Sequence, residues 1–364
     1  MQVVPHIVII GCGIIGAAIA YELSTIANVR VTVLDRQPPA QAATGAALGV
    51  LMGVISQKVK GRAWQLRQTS LQRYATLIPQ LEAETGLQIP HNPQGVVMLC
   101  FDGAEREKWQ RLIDTRHQQG WELQWWEAEQ VGDRCPQIQP TGLAGAIYSP
   151  ADRQIDPTAL TLALVAAAQR RGVRFRFDVE VQSLVAGEQG CEGIETSAGA
   201  IAADWVVIAA GLGSTAMTQV SPRPVTVQPV LGQAVRLRLD RPLGLPEFQP
   251  VITGHDIHIV PLGNAEYWIG ATVEFPVGQQ PVTADPDRLD QVMQGATALC
   301  PALAQAELID QWSGLRPRPV DRPAPVIELL PGYPNVLLAT GHYRNGVLLA
   351  PATAIAIREF IAKS

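Results

Sequence analysis

With 364 residues, 47% of them hydrophobic and 17% charged, the chain carries enough apolar side chain for the cores of two domains, which excludes a disordered segment. A formal net charge of −5 argues against a nucleic-acid partner, which calls for a basic surface. The five cysteines are odd in number, widely spaced and without a C-x-x-C pair, which argues against a disulfide framework and against a metal site of the zinc type.

The first element is a short β-branched strand over 7–10, running into Gly11-Cys-Gly-Ile-Ile-Gly16 and then into a helix rich in small residues. A second strand over 29–34 closes on Asp35, at roughly the twenty-residue spacing of a ribose-binding acid. Together these make a dinucleotide fingerprint: Gly11 permits the tight turn, Gly13 lets backbone approach a pyrophosphate, and Gly16 lets helix and strand pack closely. The phosphates belong at the helix N-terminus, where N–H groups are free and the dipole favours anions. The pattern serves NAD and FAD alike. Its place almost at the first residue is the arrangement many FAD proteins use for the ADP half.

Residues 37–57 are small and weakly polar, suited to backbone passing close to a ligand. Apolar residues at helical spacing (Leu66, Leu71, Tyr74, Leu77, Ile78, Leu81) predict a helix over 60–86. A strand over 95–101 and a charged helix over 105–119 follow, and three tryptophans in 121–130 read as packing residues. Asp156-Pro-Thr158 opens a helix that runs to Arg171 and stops at Gly172. The basic stretch 170–176 reads as a solvated face. Strands are expected at 173–177 and 179–181, and a buried one at 205–211 that runs into a second glycine turn ending at Ser214. The proline-punctuated 222–229 looks like a crossing between domains. Strands over 233–239, 257–261 and 267–274 and a helix over 286–299 follow, then a strand over 336–341 and a helix over 348–361.

The pattern predicts an α/β protein: a Rossmann-like nucleotide domain in three pieces (1–88, 148–222, 312–364), with a mainly antiparallel β-sheet substrate domain with helices from the inserts 89–147 and 223–311. The apolar N-terminal run lacks a basic flank and is consumed by the first strand, and no stretch of about 18 apolar residues stands out. The expectation is therefore a cytoplasmic protein without a membrane span.

Three segments together, Gly11 to Asp35, Trp205 to Ser214, and a tail with Gly314-Leu-Arg-Pro317, Asp321 and Ala339 to Pro351, carry a resemblance. The chain resembles the FAD-dependent amine oxidases of the D-amino-acid oxidase and glycine/sarcosine oxidase superfamily, over nearly its full length. The block Gly341-His-Tyr-Arg-Asn-Gly346 with its Leu-Leu-Ala-Pro sequel is most similar to glycine oxidases, including those serving thiamine biosynthesis. The resemblance implies a cofactor, FAD, held by Gly11, Gly13, Ile14, Ile15 and Gly16, by Asp35 and Arg36, and by Thr44, Gly45, Ala46, Ala47 and Gly49 of the small-residue loop. It adds Val181 at the adenine, Ala210 and Gly211 beneath the cofactor, and Arg316, His342, Arg344, Asn345, Gly346, Val347 and Leu348 around the flavin. His342 also reads as a structural residue. Sarcosine oxidases attach FAD through a cysteine in the segment equivalent to 314–321; this chain has none there, so non-covalent FAD is expected.

For the substrate, the resemblance implies that Arg316 grips a carboxylate, a task for which a guanidinium fork is suited. A structural ion pair in a proline-rich turn is the other reading of this arginine and of Arg318 and Arg322. Arg344 is implied near flavin and substrate. Two departures from glycine oxidases stand out: His258 replaces a carboxylate-binding tyrosine, and Val273 replaces a methionine. His258 is either a hydrogen-bonding pocket residue or a packing histidine. The implied reaction is oxidation of a small amino acid (glycine, sarcosine or a D-amino acid) by hydride transfer to FAD. The imine hydrolyses, and O2 reoxidises the flavin to H2O2. A dehydrogenase acting on D-amino acids or proline and passing electrons to a quinone or other carrier is the alternative. Family members are often homo-oligomers, and that expectation extends to this chain.

Overall fold

The computed structural model describes residues 4–139, 141–278 and 280–363. Six strands stand in the order Val326–Leu329, Val336–Thr340, Trp205–Ile208, His6–Ile10, Arg30–Leu34, Arg174–Arg176, all parallel except the first. The inner strands are covered on both faces, which is why they read as continuous β-branched runs. Ile7 and Ile9 pack among the helices Ile14–Leu23, Gly61–Thr85, Pro157–Arg170 and Gly346–Lys363. Val8 and Ile10 point the other way, onto Leu184 and Ile194 of an antiparallel meander formed by Val181–Gly187, Gly190–Thr196 and Ile201–Ala202.

Local chemistry sets the helix ends. Asp156 accepts from Ala159 N at 2.8 Å with Pro157 behind it, as its N-cap pattern predicts. Gly86 ends the long helix at φ +74°, its N–H bonded to Glu82 O. By length and composition, the segment Tyr343–Lys363 is apolar enough to cross a membrane, with a mean hydropathy of 1.3, contrary to the expectation that no such stretch exists. Here it is a core helix: Val347, Leu348, Leu349, Ala350, Ala354 and Ile357 are buried in the helix layer.

The second sheet has eight strands, in the order Glu307–Pro319, Val227–Arg238, Glu266–Gly270, Ile257–Gly263, Val251–Gly254, Val96–Cys100, Gly145–Ser149, Gln124–Glu127. It is antiparallel except between Val251–Gly254 and Val96–Cys100. One face (Val235, Leu237, Ile252, Ile259) is closed by the helices Ala128–Arg134 and Pro286–Leu299. The opposite face (Ala234, Val251, Val260) meets Leu48 of the small-residue loop and so faces the first unit.

Two segments differ from expectation. The anticipated crossing over 222–229 runs into the strand Val227–Arg238, with Pro229 opposite Pro317. Strand pairing with Glu266–Gly270 starts only at Ala234, so a residue without an N–H fits there. The expected boundary at 311/312 falls inside the strand Glu307–Pro319, so 312–319 are laid along the eight-stranded sheet.

Candidate cofactor and substrate site

A cavity of about 590 Å³ lies between the two sheets. The ends of three parallel strands open into it, at Ile10, Leu34 and Ala339, the place where open α/β sheets bind ligands.

At one end is the glycine turn. Gly11 adopts φ +103°, and a Cβ there would stand 2.6 Å from Ala209 O. A Cβ on Gly16 would overlap Gly11 O, so helix and turn touch backbone to backbone. The helix Ile14–Leu23 has no side-chain cap from Gly13; the loop supplies one, with Ile14 N donating to Thr44 Oγ1 at 3.0 Å. Asp35, the acid expected at a ribose, is tied to the turn by backbone contacts. Its Oδ2 accepts from Cys12 N at 2.6 Å and its Oδ1 from Gln37 N at 3.0 Å, which locks the turn to the second strand. Each carboxylate oxygen keeps a further lone pair for a ligand.

The small-residue segment does pass along the cavity: Thr44, Ala46, Ala47 and Gly49 line it. Its far end is fixed by contacts that local sequence does not announce. Buried Asp152 accepts from Gly53 N, Val54 N and Ile55 N at 2.7–2.9 Å, and fully buried Arg116 donates to Val54 O, Ser56 O and Lys58 O. Gly49, at φ +70°, has Ile155 O where a Cβ would stand.

Of the anticipated cofactor residues, Gly11, Gly13, Ile14, Ile15, Asp35 and Arg36 line the cavity, as do Val181, Ala210, Gly211, His342, Gly346, Val347 and Leu348. Gly16, Gly45 and Asn345 do not. The first two act by packing, since a Cβ on Gly45 would overlap Ala40 O. Asn345 sits in the 3₁₀ turn Tyr343–Asn345, its N–H on His342 O. Bare glycine backbone, a helix start presenting N–H groups and an acid at the second strand end fit a dinucleotide on physical grounds. No cysteine lines the cavity among the described residues.

At the other end the strand Glu307–Pro319 carries Arg316. Its guanidinium lies over Gly232, where a Cβ would overlap it. Nη1 donates to Leu231 O and Thr272 O, both at 3.0 Å. The rest of the fork makes no hydrogen bond or ion pair among the described residues. The ion-pair reading belongs instead to Arg322, 2.6 Å from Glu328, while Arg318 stacks on Phe275 and Tyr343. Burial, and then the charge of Arg344, lowers the Arg316 pKa. Arg344 also lines the cavity, 3.4 Å from Asp256.

His258 lines the same cavity and its buried Nδ1 has no partner among the described residues. Burial, reinforced by Arg344 and Arg316 against the opposing Asp256, pulls its pKa to about 4, so the ring is neutral at pH 7. Val273 lies outside the lining, which takes Ala271 from this segment. Leu231 and Glu274 exchange two backbone bonds of 2.9 and 3.0 Å, which tether Val273 along the strand Val227–Arg238. His342 is buried; it lines the cavity and bonds Thr353 Oγ1 at 2.9 Å. Because that hydroxyl donates to Leu349 O, the histidine Nε2 carries the proton. Burial pulls this pKa to about 3.

Both histidines are depressed below the ordinary 6.5, so unfolding takes up protons as the pH falls below that value. The stability they contribute is whole above pH 6.5 and falls towards pH 4, by up to about 1.4 kcal/mol per pH unit per ring. Thermal unfolding of the protein from pH 7.5 to 4.5 should show this fall. It should be shallower in His342→Asn; equal slopes would remove His342 from the account.

The comparisons with known proteins agree with this geometry. The chain is 34% identical over 366 residues to the bifunctional protein ThiO/ThiG of Trichormus variabilis, covering 98% of this chain and 52% of that one. It thus spans about half the length of the ThiO/ThiG relatives. It is 28% identical over 357 residues to the glycine oxidase of Geobacillus kaustophilus, covering 98% and 93% of the two chains. The crystal structure of glycine oxidase from Geobacillus kaustophilus superposes with a TM-score of 0.88 at 28% identity over 99% and 95% of the two chains. That from Bacillus cereus gives 0.88 at 26% over 99% and 96%. The sequence model of the FAD dependent oxidoreductase family, DAO, matches residues 6–359, and the chain belongs to that family.

Proposed function

We propose that this chain oxidises the amine of a small amino acid (glycine, sarcosine or a D-amino acid) to an imine, which water hydrolyses, with O2 as the final oxidant. The observation that carries the reading is Arg316: a half-buried guanidinium lining the cavity, held by two carbonyls and without a carboxylate partner among the described residues. A substrate carboxylate supplies what that fork lacks. Relatives named glycine oxidase, matching over nearly their full length, support the same reading.

When bound, FAD supplies the hydride acceptor, and its non-covalent retention is part of the proposal. The chain's own residues do the rest. Arg316 fixes the carboxylate and so aims the α-C–H, which lowers the entropic barrier to reaction. His258 is neutral and adds no third positive charge. With its pKa pulled down to about 4 it is a poor base for an α-ammonium group, and no dedicated side-chain base is needed when the amine arrives deprotonated. The N-terminus of the helix Gly346–Lys363 opens on the cavity through Gly346, Val347 and Leu348, and its dipole stabilises negative charge there. The cytoplasm is the compartment this reading favours, supported by five cysteines that are all buried and free.

The test is oxygen uptake and peroxide release with glycine, sarcosine, D-alanine, D-proline and L-proline. One of them should give H2O2 in step with oxygen consumed. Rapid dye reduction without peroxide would replace the oxidase by the dehydrogenase reading.

A further inference from the structure

The two guanidinium groups at the substrate end differ in what neutralises them. Arg316 has no carboxylate partner among the described residues, whereas Arg344 Nη2 stands 3.4 Å from Asp256 Oδ1. Asp256 is itself part of the cavity lining. Its place is set by the hairpin that joins Val251–Gly254 to Ile257–Gly263. The strands pair up to Gly254 and Ile257, leaving a two-residue loop of His255 and Asp256 at φ +50° and +61°. Positive φ at both positions is the type I′ hairpin pattern, which residues such as Asp tolerate better than most. The His255 ring stacks on Phe101 with centroids 4.3 Å apart and steadies the tip. Two residues further on, His258 lines the same cavity.

We infer that Asp256 sets the charge class of the substrate. It occupies Arg344 and leaves Arg316 as the one guanidinium available to a carboxylate. Its own negative charge opposes a second acid group at the mouth. Amino acids with one carboxylate are admitted on this account, and dicarboxylic amines are disfavoured. The inference rests on the amino-acid reading of the pocket given above. Asp256 is 82% and Arg344 40% exposed at the side chain, so solvent screens the pair and the effect is graded, not absolute.

The test uses FAD-loaded protein and two anions without an amine, acetate and malonate, titrated at fixed ionic strength and followed by the change in flavin absorbance. In Asp256→Asn the ratio of malonate to acetate dissociation constants should fall by about tenfold, the scale of one unit charge removed at a few ångströms in a partly wet site. Asp256→Ala should give the same direction without any side-chain contact to Arg344. If acetate binds and the ratio is unchanged in both variants, Asp256 has no such role and the amino-acid pocket stands. Equal weakening of both anions would make Asp256 a structural residue and overturn the inference. If neither anion perturbs the flavin in any of the three proteins, the pocket reading fails and this inference falls with it.

Discussion

Arg316→Ala is expected to lower kcat/KM for the best amino acid by about a hundredfold to a thousandfold, mostly through KM, with FAD still bound. The lost interaction is a two-pronged, charge-assisted contact to a carboxylate, worth about 3–4 kcal/mol, and each 1.4 kcal/mol is a factor of ten. The same side chain also satisfies Leu231 O and Thr272 O at 3.0 Å, so the alanine variant leaves two carbonyls to solvent. Arg316→Lys separates the two roles. A lysine can reach a carboxylate as a point charge but cannot reproduce the fork, and it should recover part of the lost affinity. Steady-state kinetics beside flavin content and Tm decides the matter. A purely structural arginine would cost Tm and flavin in proportion to activity, and the KM of the remaining holoenzyme would stay as it was.

Gly16→Ala is expected to yield protein with less than about a tenth of the wild-type flavin, because its Cβ would overlap the carbonyl oxygen of Gly11. That oxygen belongs to backbone whose N–H is bonded to Leu34 O at 2.8 Å, so it cannot move without opening the first two strands. Helix and turn must separate, and overpacking of this kind costs about 1–3 kcal/mol. The separation also breaks the Ile14 N–H bond to Thr44 Oγ1 and shifts the Ile15 N–H away from the place where a dinucleotide's phosphates are expected. Gly132→Ala is the control: it lies in the helix Ala128–Arg134 with nothing within 4 Å of its Cβ position. It should keep full flavin content and gain up to about 1 kcal/mol of stability. The absorbance ratio of flavin to protein after purification reads both results.

What was legible in the sequence is what local chemistry fixes. The run from His6 to Asp35 declares strand, turn, helix and acid within one short stretch, and each part is found where expected. The cap at Asp156 and the terminal helix were equally open to reading. The strand Glu307–Pro319 leaves little trace in the sequence because it is an edge strand with a single buried residue, and its apolar residues follow no alternation. The meander hairpin over 181–196 leaves no clear sequence signal because only one residue of its first strand, Leu184, is buried. At the site, Arg316, Arg344 and His258 were legible through resemblance, and the structure gathers all three on one cavity. Ala271, not Val273, lines the cavity, because register and not spacing decides which residue of 271–273 meets it. Asp152 beneath the loop and Asp256 beside Arg344 act across 97 to 99 and 88 residues of chain, and nothing local marks either.

The most direct test of the account is an anaerobic absorbance spectrum of the purified holoprotein before and after glycine, sarcosine, D-alanine, D-proline and L-proline are added in turn. The account predicts an oxidised-flavin spectrum that bleaches with at least one of them and fails to bleach at the same concentration in Arg316→Ala. A flavin spectrum that no amino acid bleaches would contradict it, leaving the family and the cofactor but no substrate at Arg316.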